Sequence, residues 1–307
     1  MGRVRKKARR SESFFSYAMV TPTVVVLLVM SVFALIFTFY YSFTDYYYIS
    51  LEGPVFNGLD NYIALFKDPY FIRAIWNTVY FTVVCTVVET VYGLGMAVYV
   101  HRMKRFKKIM RTLLLLPYLL PTVTVALIWR MMLSSNYGIL NRFLEFLHLP
   151  VHNWFYDVNT AMPTLIVIDI WQTAPFVFLL IYASLQSVPE TLYEAARIDG
   201  ANKWREFLHV TMPSIKGTVI LCLLLRTIDS FRMFDKVNVL TQGGPANTTS
   251  TITQYIYTYG IKAWISASAA PGRGHGGAGA RAVLCFIFSG RSGRFNMEWM
   301  KGEPYDR

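Results

Sequence analysis

Charged side chains occur in one stretch of the chain that is otherwise apolar enough to cross a lipid bilayer. Arg226, Asp229 and Arg232 recur at steps of three residues in GTVILCLLLRTIDSFRMFDKVNVL, so a helix would place them on neighbouring turns of one side. An ionisable group at the bilayer centre costs about 3 kcal/mol or more, and such groups face protein or a wet cavity. The spacing favours either a transport path or charges that pair with each other near the outer interface.

A second polar group lies in IVIDIWQTAPF, before Pro175. A tryptophan with a nearby amide suits a sugar-like ligand, because the ring offers an apolar stacking face and the amide bonds hydroxyl groups. An interfacial tryptophan is the alternative. The possible substrate path predicted from both stretches consists of Asp169, Trp171, Gln172, Asp229 and Arg232.

The composition places these residues in an integral membrane protein. Of the 307 residues, 54% are apolar and 16% are aromatic. Uncharged runs recur at lengths near the ~20 residues that cross a bilayer core of ~30 Å. We expect spanning helices over 17–43, 74–99, 112–133, 161–185 and 217–240, and a sixth near 255–288.

Two further features of these spans are unusual in a membrane. Glu89 is a lone acid in the second span and suits either a functional role or a hydrogen bond between helices. Pro117 and Pro121 interrupt the third span twice, which a membrane tolerates only where neighbours or water satisfy the freed carbonyl groups. The prolines favour a helix that lines or opens a path, with a static kink as the alternative.

The distribution of lysine and arginine predicts the orientation. The net charge is +12, and basic residues cluster before the first span, between the second and third, and between the fourth and fifth. Basic connections stay in the cytoplasm. We therefore expect a basic cytoplasmic tail over 1–16, a transmembrane domain over 17–288 and a cytoplasmic tail over 289–307. Since the basic residues flank membrane spans, they need no nucleic acid as partner.

The sequence offers no recognisable motif for nucleotide or metal chemistry. It has no GxxxxGK[ST], no GxGxxG that opens a helix, no HExxH and no CxxC, and Cys85, Cys222 and Cys285 lie at unrelated spacings. We expect no catalytic residue, no metal and no cofactor. Energy for transport would come from an ion gradient, as in a secondary transporter, or from another subunit. A membrane scaffold that transports nothing is a third possibility.

A polar stretch separates the fourth and fifth spans. SVPE fits a helix start, with Ser187 as N-cap and Glu190 as its capping-box partner. Gly200 suits the end of that helix, because glycine adopts positive φ readily. A second helix is expected to begin near Asn202 and to end at Pro213. Acidic and basic residues balance here, which argues against a lipid-binding helix and favours a protein partner.

The same stretch carries a family signature. EAARIDGA followed by MPSI resembles the EAA motif of the permease subunits of binding-protein-dependent ABC importers. GLDNYIALFKDP, WQTAPFVFLL and FDKVNVLTQGGPANTT, in this order, are similar to the carbohydrate-uptake branch of that family, the maltose-type sugar permeases. The resemblance implies an all-α, ABC type I importer fold of about six transmembrane helices, with a cytoplasmic EAA helix-turn-helix in a coupling loop over 187–216.

The resemblance also implies partners. The chain would sit in the cell membrane as a multi-pass protein with its N-terminus in the cytoplasm and form a heterodimer with a second permease subunit. It would bind a dimer of cytoplasmic ATP-binding subunits and receive a sugar, an oligosaccharide or a polyol ester from an extracytoplasmic solute-binding protein. Carried over by position, the ATPase-coupling residues are Glu194, Ala195, Ala196, Asp199, Gly200 and Pro213, and the residues that dock the binding protein include Gly243, Gly244 and Pro245.

One segment departs from that family. Residues 271–281, PGRGHGGAGAR, contain no large aliphatic side chain, and the apolar remnant 282–288 would rise only ~10 Å as a helix, a third of the bilayer core. A local reading-frame error or a paired frameshift in the recorded gene sequence, with the frame restored near Arg281 or beyond, would explain this segment, because glycine-rich and arginine-rich sequence is expected when GC-rich alanine and valine codons are read out of frame. The sixth span depends on the answer.

Overall fold

The computed structural model describes residues 2–45, 55–103 and 105–262. Of the predicted sixth span, only the start up to residue 262 is described. The segment 271–281 and the tail 289–307 lie outside the described residues. Within the described part the regular elements are helices apart from one pair of two-residue strands. This confirms the predicted all-α class.

Most of the helices are joined by short connections, with longer ones at 147–160 and 241–251. The helices are α1 (Gly2–Ser42), α2 (Asp60–Lys67), α3 (Pro69–Arg102), α4 (Lys107–Leu119), α5 (Thr122–Met132), α6 (Ile139–Phe146), α7 (Ala161–Gln186), α8 (Glu190–Ile198), α9 (Lys203–Glu206), α10 (Met212–Phe231), α11 (Asp235–Leu240) and α12 (Ile252–Tyr255), with π-helical turns at Phe207–Thr211 and Ile256–Lys262. Strands β1 (Thr44–Asp45) and β2 (Val55–Phe56) pair antiparallel.

Four helical stretches in the described part are long and apolar enough to span a membrane, and α4 with α5 makes a fifth if the bent pair counts as one span. The five predicted spans are therefore found, with shifted ends. The second begins at Pro69 instead of 74, because Asp68 caps α3: its Oδ1 accepts a hydrogen bond from the Tyr70 amide at 2.9 Å. Proline suits this first turn, where its missing donor would have no partner in any case.

The third predicted span is not a continuous helix. The axes of α4 and α5 differ by 93°. The break falls at Leu120 and Pro121, whereas α4 continues through Pro117. Of the two prolines only Pro121 therefore ends a helix, which it does because the residue before a proline is driven to extended backbone. Leu120 has that conformation, with ψ 139°.

Among the described residues, those within 68–255 form one compact unit, and those of 2–45, 55–67 and 256–262 belong to another. In the larger unit, α7 is the central helix: Ala174, Val177, Phe178 and Ile181 are fully buried. One apolar cluster joins α7 to the end of α3 and the start of α10, and another joins its first half to α5 and α11. Gly93 on α3 permits close approach, since a Cβ there would lie 2.8 Å from the Val177 Cβ.

In the smaller unit, α2 is attached to the end of α1. The amide nitrogen of Asn61 donates to the carbonyl oxygens of Ser42 and Thr44 at 3.1 and 3.0 Å. The Tyr62 hydroxyl donates to the Ser42 Oγ at 2.7 Å. These bonds fix the direction in which the chain leaves the first span.

Candidate functional site

Four ionisable side chains from four helices meet in the interior of the larger unit. Arg226 on α10 donates to Glu89 on α3, with Nε 2.5 Å from Oε2 and Nη2 3.2 Å from Oε1. The same Nη2 lies 3.5 Å from the Oδ2 of Asp169 on α7. Lys236 on α11 donates to the other oxygen of Asp169. We call these four residues the buried charge cluster.

Opposite charges balance in the cluster, and hydroxyl groups complete its hydrogen bonds. The Thr173 hydroxyl donates to the Oε1 of Glu89 at 2.6 Å, and Arg226 donates to the Ser230 Oγ at 3.3 Å. The four charged side chains are between 0% and 5% exposed. Removing one partner of such a pair costs about 3–5 kcal/mol, because it leaves an uncompensated buried charge. The cluster therefore ties α3, α7, α10 and α11 together.

The buried charge cluster lies far from the helix ends at the 187–216 segment. The end of α3 adjoins α9, since Arg102 donates to the Lys203 carbonyl at 3.4 Å. At about 1.5 Å rise per residue, the cluster residues of α3, α7 and α10 lie about 20 to 25 Å from the helix ends near the 187–216 segment. Charges at that depth cannot reach water along their own side chains, so the protein itself must satisfy them.

The partners of Arg226 differ from those expected within its own helix. Asp229 does lie one turn away, with its Oδ2 3.6 Å from the Arg226 Nη1, but its side chain is 63% exposed. The short contacts of Arg226 run instead to Glu89 and Asp169. The expected pairing of Arg226 with Asp229 along the helix is present, but the closest acids come from neighbouring spans, which the spacing within one span cannot show.

The structure separates the predicted substrate-path residues. Asp169 belongs to the buried charge cluster. Gln172 is also buried, and its amide nitrogen donates to the Leu120 carbonyl at 3.1 Å, at the break before α5. Trp171 is 41% exposed and packs edge-to-face on Trp129 at 5.5 Å. Asp229 and Arg232 are exposed.

The buried carboxylates do not form an open metal site. The ligand atoms of Cys85, Glu89 and Asp169 lie within 4.8 Å of one another. Arg226 and Lys236, however, already bind both carboxylates. A metal ion would have to displace these cations from the interior.

The 187–216 segment begins differently from the prediction. Ser187 closes α7, because its Oγ donates to the Ser184 carbonyl at 2.7 Å, and it does not cap α8. The N-cap position of α8 is Pro189, and Glu190 is the first helical residue. The predicted capping box is therefore wrong: the Ser187 hydroxyl donates to the preceding helix, and Pro189 takes the N-cap position of α8.

The turn in this segment agrees with the prediction. Gly200 has φ +75°, the left-handed conformation that glycine tolerates, and Ala201 donates to the Ala196 carbonyl at 2.9 Å. Asn202 caps α9 by accepting a hydrogen bond from the Arg205 amide at 2.8 Å. The glycine ends one helix and the asparagine starts the next within three residues.

The second helix of the segment does not end at Pro213. It continues from α9 through the π-helical turn Phe207–Thr211 into α10, so a single helical path of Lys203–Phe231 enters the fifth span. Pro213 lies in the first turn of α10. A wider π turn immediately before a proline lets the helix continue past the missing backbone donor.

The coupling residues predicted from the EAA signature lie mostly at the surface. Tyr193 is buried and fixes α8, while Arg197 and Glu206 form an ion pair at 3.3 Å between α8 and α9. Ile198, the last residue of α8, is 86% exposed. It was not among the coupling residues predicted from the sequence. Glu194, Ala195, Asp199, Gly200 and Pro213 are exposed, and Ala196 is half-buried.

The turn after α11 has a set geometry. Gly243 has φ +88° and is buried, with the site of a Cβ 3.4 Å from Ser250 and Gln254 side chains. Asn77 on α3 donates to the carbonyl oxygens of Asn247 and Ser250 at 2.9 and 3.0 Å. The turn is thereby fastened to α3. Gly244 and Pro245 are half-buried.

These features define a multi-span helical membrane protein in which a polar, well-ordered segment joins two spans that share a buried charge cluster. Residues 89–290 match the family described as the binding-protein-dependent transport system inner membrane component. The chain belongs to this family, and it is a membrane-spanning permease subunit of a binding-protein-dependent ABC importer. The secondary-transporter and scaffold alternatives are thereby set aside.

Relatives match over most of the chain. The trehalose/maltose transport system permease protein MalF of Thermococcus litoralis is 34% identical over 253 residues, 82% of this chain and 85% of the relative. The sulfoquinovosyl glycerol transport system permease protein SmoG of Agrobacterium fabrum is 35% identical over 218 residues, 70% of this chain and 71% of the relative.

The fold is that of a solved importer. A chain of a bacterial ABC transporter involved in the import of the acidic polysaccharide alginate matches with a TM-score of 0.74 at 24% identity. The match covers 94% of this chain and 93% of the other. The predicted ABC type I importer fold is confirmed.

Proposed function

We propose that this permease subunit carries a sugar, an oligosaccharide or a polyol ester of a sugar into the cell. The observation that carries the proposal is the agreement, over most of the chain, with a permease named for trehalose and maltose. The relative named for sulfoquinovosyl glycerol, a glycoside of a polyol, supports a substrate class wider than free sugars. ATP hydrolysis belongs to a partner subunit, so the chain itself is not an enzyme.

The proposed assembly contains a second permease, a dimer of ATP-binding subunits and an extracytoplasmic binding protein. A solved relative of the fold was crystallised with a periplasmic protein that holds an alginate pentasaccharide. We place the N-terminal tail 1–16 and the C-terminal tail 289–307 in the cytoplasm and the domain 17–288 in the cell membrane. The lysine and arginine distribution supports this orientation.

We propose that the 187–216 segment is the site that contacts the ATP-binding subunits. Its first helix exposes Glu194 beside Ala195, so another protein surface can approach closely and pair with the carboxylate. The Arg197–Glu206 pair holds α8 against α9, and α9 continues helically into α10. A displacement of α8 would therefore reach the fifth span along a continuous helix. Asp199, Gly200 and Pro213 shape the turn and the entry to that span.

The substrate path is proposed along the exposed members of the predicted set. Trp171 offers a ring face, and Asp229 and Arg232 offer charged groups that are open to a ligand. The carboxylate of Asp169 and the amide nitrogen of Gln172 are engaged inside the chain, and we assign these residues to support of the path instead of contact with the substrate. The outer turn with Gly243, Gly244 and Pro245 is the proposed docking site for the binding protein.

Transport by the reconstituted complex tests the function. The chain is purified with its second permease and ATP-binding subunits and placed in proteoliposomes, and uptake of radiolabelled maltose, trehalose and sulfoquinovosyl glycerol is measured. We expect uptake of one of these sugars to require ATP on the side of the membrane where the ATP-binding subunits lie, and the binding protein on the opposite side. A proton uncoupler should leave this uptake unchanged. Uptake that follows the proton gradient without ATP would contradict the proposal.

Gly200 provides a matched pair for the coupling step. Valine at φ +75° costs about 1–2 kcal/mol because its Cβ crowds the backbone, whereas asparagine tolerates this conformation. We expect Gly200→Val to lower uptake per ATP hydrolysed and Gly200→Asn to retain most of it. Equal effects of the two substitutions would show that the turn conformation does not matter for coupling.

A further inference from the structure

The buried charge cluster connects the two helices that the 187–216 segment joins. The segment leaves the end of α7 and returns as the start of α10. Deep inside the unit, Arg226 of α10 lies between Asp169 of α7 and Glu89 of α3, at 3.5 and 2.5 Å. The two helices are therefore linked twice, once at the segment and once at the cluster.

The cluster also connects these helices to the outer turn. Lys236 ties α11 to Asp169, and the chain between α10 and α11 accepts a hydrogen bond at the Met233 carbonyl from the Thr251 hydroxyl, 3.1 Å away. The Thr78 hydroxyl of α3 accepts from the Ile252 amide at 2.8 Å. The cluster thus adjoins both ends of the turn that follows α11: Lys236 lies on the helix that leads into the turn, and the two hydrogen bonds hold its end at Thr251 and Ile252.

The contacts of Arg226 restrict angle as well as distance. Its guanidinium is planar, and two of its nitrogens bind the two oxygens of one carboxylate, which fixes the relative orientation of α3 and α10. Each carboxylate oxygen of Glu89 and Asp169 already has a cation within 3.5 Å. These groups are unavailable to a passing substrate while the cluster is intact.

We propose that Glu89, Asp169, Arg226 and Lys236 are positioning residues for transport, which make α3, α7, α10 and α11 move as one body. A displacement of the 187–216 segment then reaches the outer turn, where the binding protein is proposed to dock. The inference rests on the proposed coupling of that segment to an ATPase. It assigns the deepest charges of the chain to the transmission of movement and not to recognition of the sugar.

An apolar replacement of one pair separates this role from simple stabilisation. The double variant Glu89→Leu/Arg226→Met removes one negative and one positive charge and leaves Asp169 with Lys236. Replacing a buried ion pair by apolar residues of similar volume is often neutral for stability, so the complex is expected to assemble. A second double variant, Glu89→Gln/Arg226→Gln, keeps polar groups without the charges. Thr227→Val, on the exposed side of α10, is the control.

The readout is sugar taken up per ATP hydrolysed by the full complex with its binding protein in proteoliposomes. We expect both double variants to hydrolyse ATP while this ratio falls about tenfold, within the range of coupling between linked sites. Thr227→Val is expected to keep the wild-type ratio. A wild-type ratio in either assembled double variant overturns the proposal.

The remaining outcomes are also decisive. If neither double variant assembles although Thr227→Val does, the cluster serves folding alone and the proposal is wrong. If the wild-type complex itself shows no ATP-dependent uptake, the proposed function fails, and the inference fails with it. A coupled wild type beside coupled double variants overturns the inference and leaves the proposed function intact.

Discussion

Two glycines of α3 offer a direct test of how closely the second and fourth spans pack. A Cβ at Gly93 would lie 2.8 Å from both the Cβ and the Cγ1 of Val177 and 3.0 Å from the Phe178 amide nitrogen. A Cβ at Gly95, two residues further on, would meet nothing within 4 Å. Gly93→Ala is therefore expected to push α3 away from α7, whereas Gly95→Ala adds a methyl group in open space.

The expected effects have opposite signs. Carbon atoms pack at about 3.5–4.0 Å, so alanine at position 93 requires α3 and α7 to separate by about 1 Å. Overpacking of this kind costs about 1–3 kcal/mol, and better helix propensity returns at most about 1 kcal/mol. We expect Gly93→Ala to destabilise the protein by about 1–2 kcal/mol. Gly95→Ala is expected to be neutral or stabilising by up to about 1 kcal/mol.

The assay is the fraction of monodisperse complex that remains after heating in detergent, compared between the two variants at one heating rate. Unfolding of such complexes is often irreversible, so only the difference between matched variants is interpreted. Val177→Ala removes the Cγ1 contact and should recover part of the loss in Gly93→Ala. Equal apparent melting temperatures of Gly93→Ala and Gly95→Ala would refute the close packing of α3 on α7.

Two further substitutions test hydrogen bonds that hold irregular backbone. Gln172→Leu leaves the Leu120 carbonyl without its 3.1 Å donor at the break between α4 and α5, and is expected to cost about 1–2 kcal/mol and to lower uptake in proteoliposomes. Gln172→Asn, which is shorter, serves as its polar control, and uptake by Gln172→Leu at the wild-type rate would contradict the assignment. Asn77→Leu removes both donors to the outer turn; faster protease cleavage within 241–251 and weaker binding-protein docking are expected, and wild-type cleavage would show that the turn needs no fastening to α3.

The sequence predicted best what depends on short stretches of chain. Five apolar runs were enough to locate the spans, because length and hydropathy are local properties. Gly200 and Asn202 were placed at the turn for the same reason: positive φ and an N-cap depend on only a few neighbouring residues. The break at Pro121 was expected as well, although the 93° angle between the two helices depends on what packs around them.

The sequence was least informative where a residue has more than one possible partner or backbone conformation. Ser187 could cap the following helix or bond the preceding one, and the nearer Ser184 carbonyl accepted its hydrogen bond. Pro213 reads as a helix end, but a π turn ahead of it allows the helix to continue. The spacing that placed Asp229 beside Arg226 could not show that Glu89 and Asp169 on other spans lie closer to it. None of these choices is visible until the neighbouring helix is in place.

The buried charge cluster imposes an energetic asymmetry on sequence change in this protein. Losing Glu89 alone would leave Arg226 with its hydrogen bond to Ser230 and two long carboxylate contacts, 3.5 Å to Asp169 and 3.6 Å to the exposed Asp229, a cost of about 3–5 kcal/mol. Losing both partners together is close to neutral in free energy of unfolding. Stability alone therefore allows the pair to be exchanged for apolar residues in two linked steps. If transport requires the Glu89–Arg226 pair although stability does not, the requirement must come from the role of the pair in transmitting helix movement.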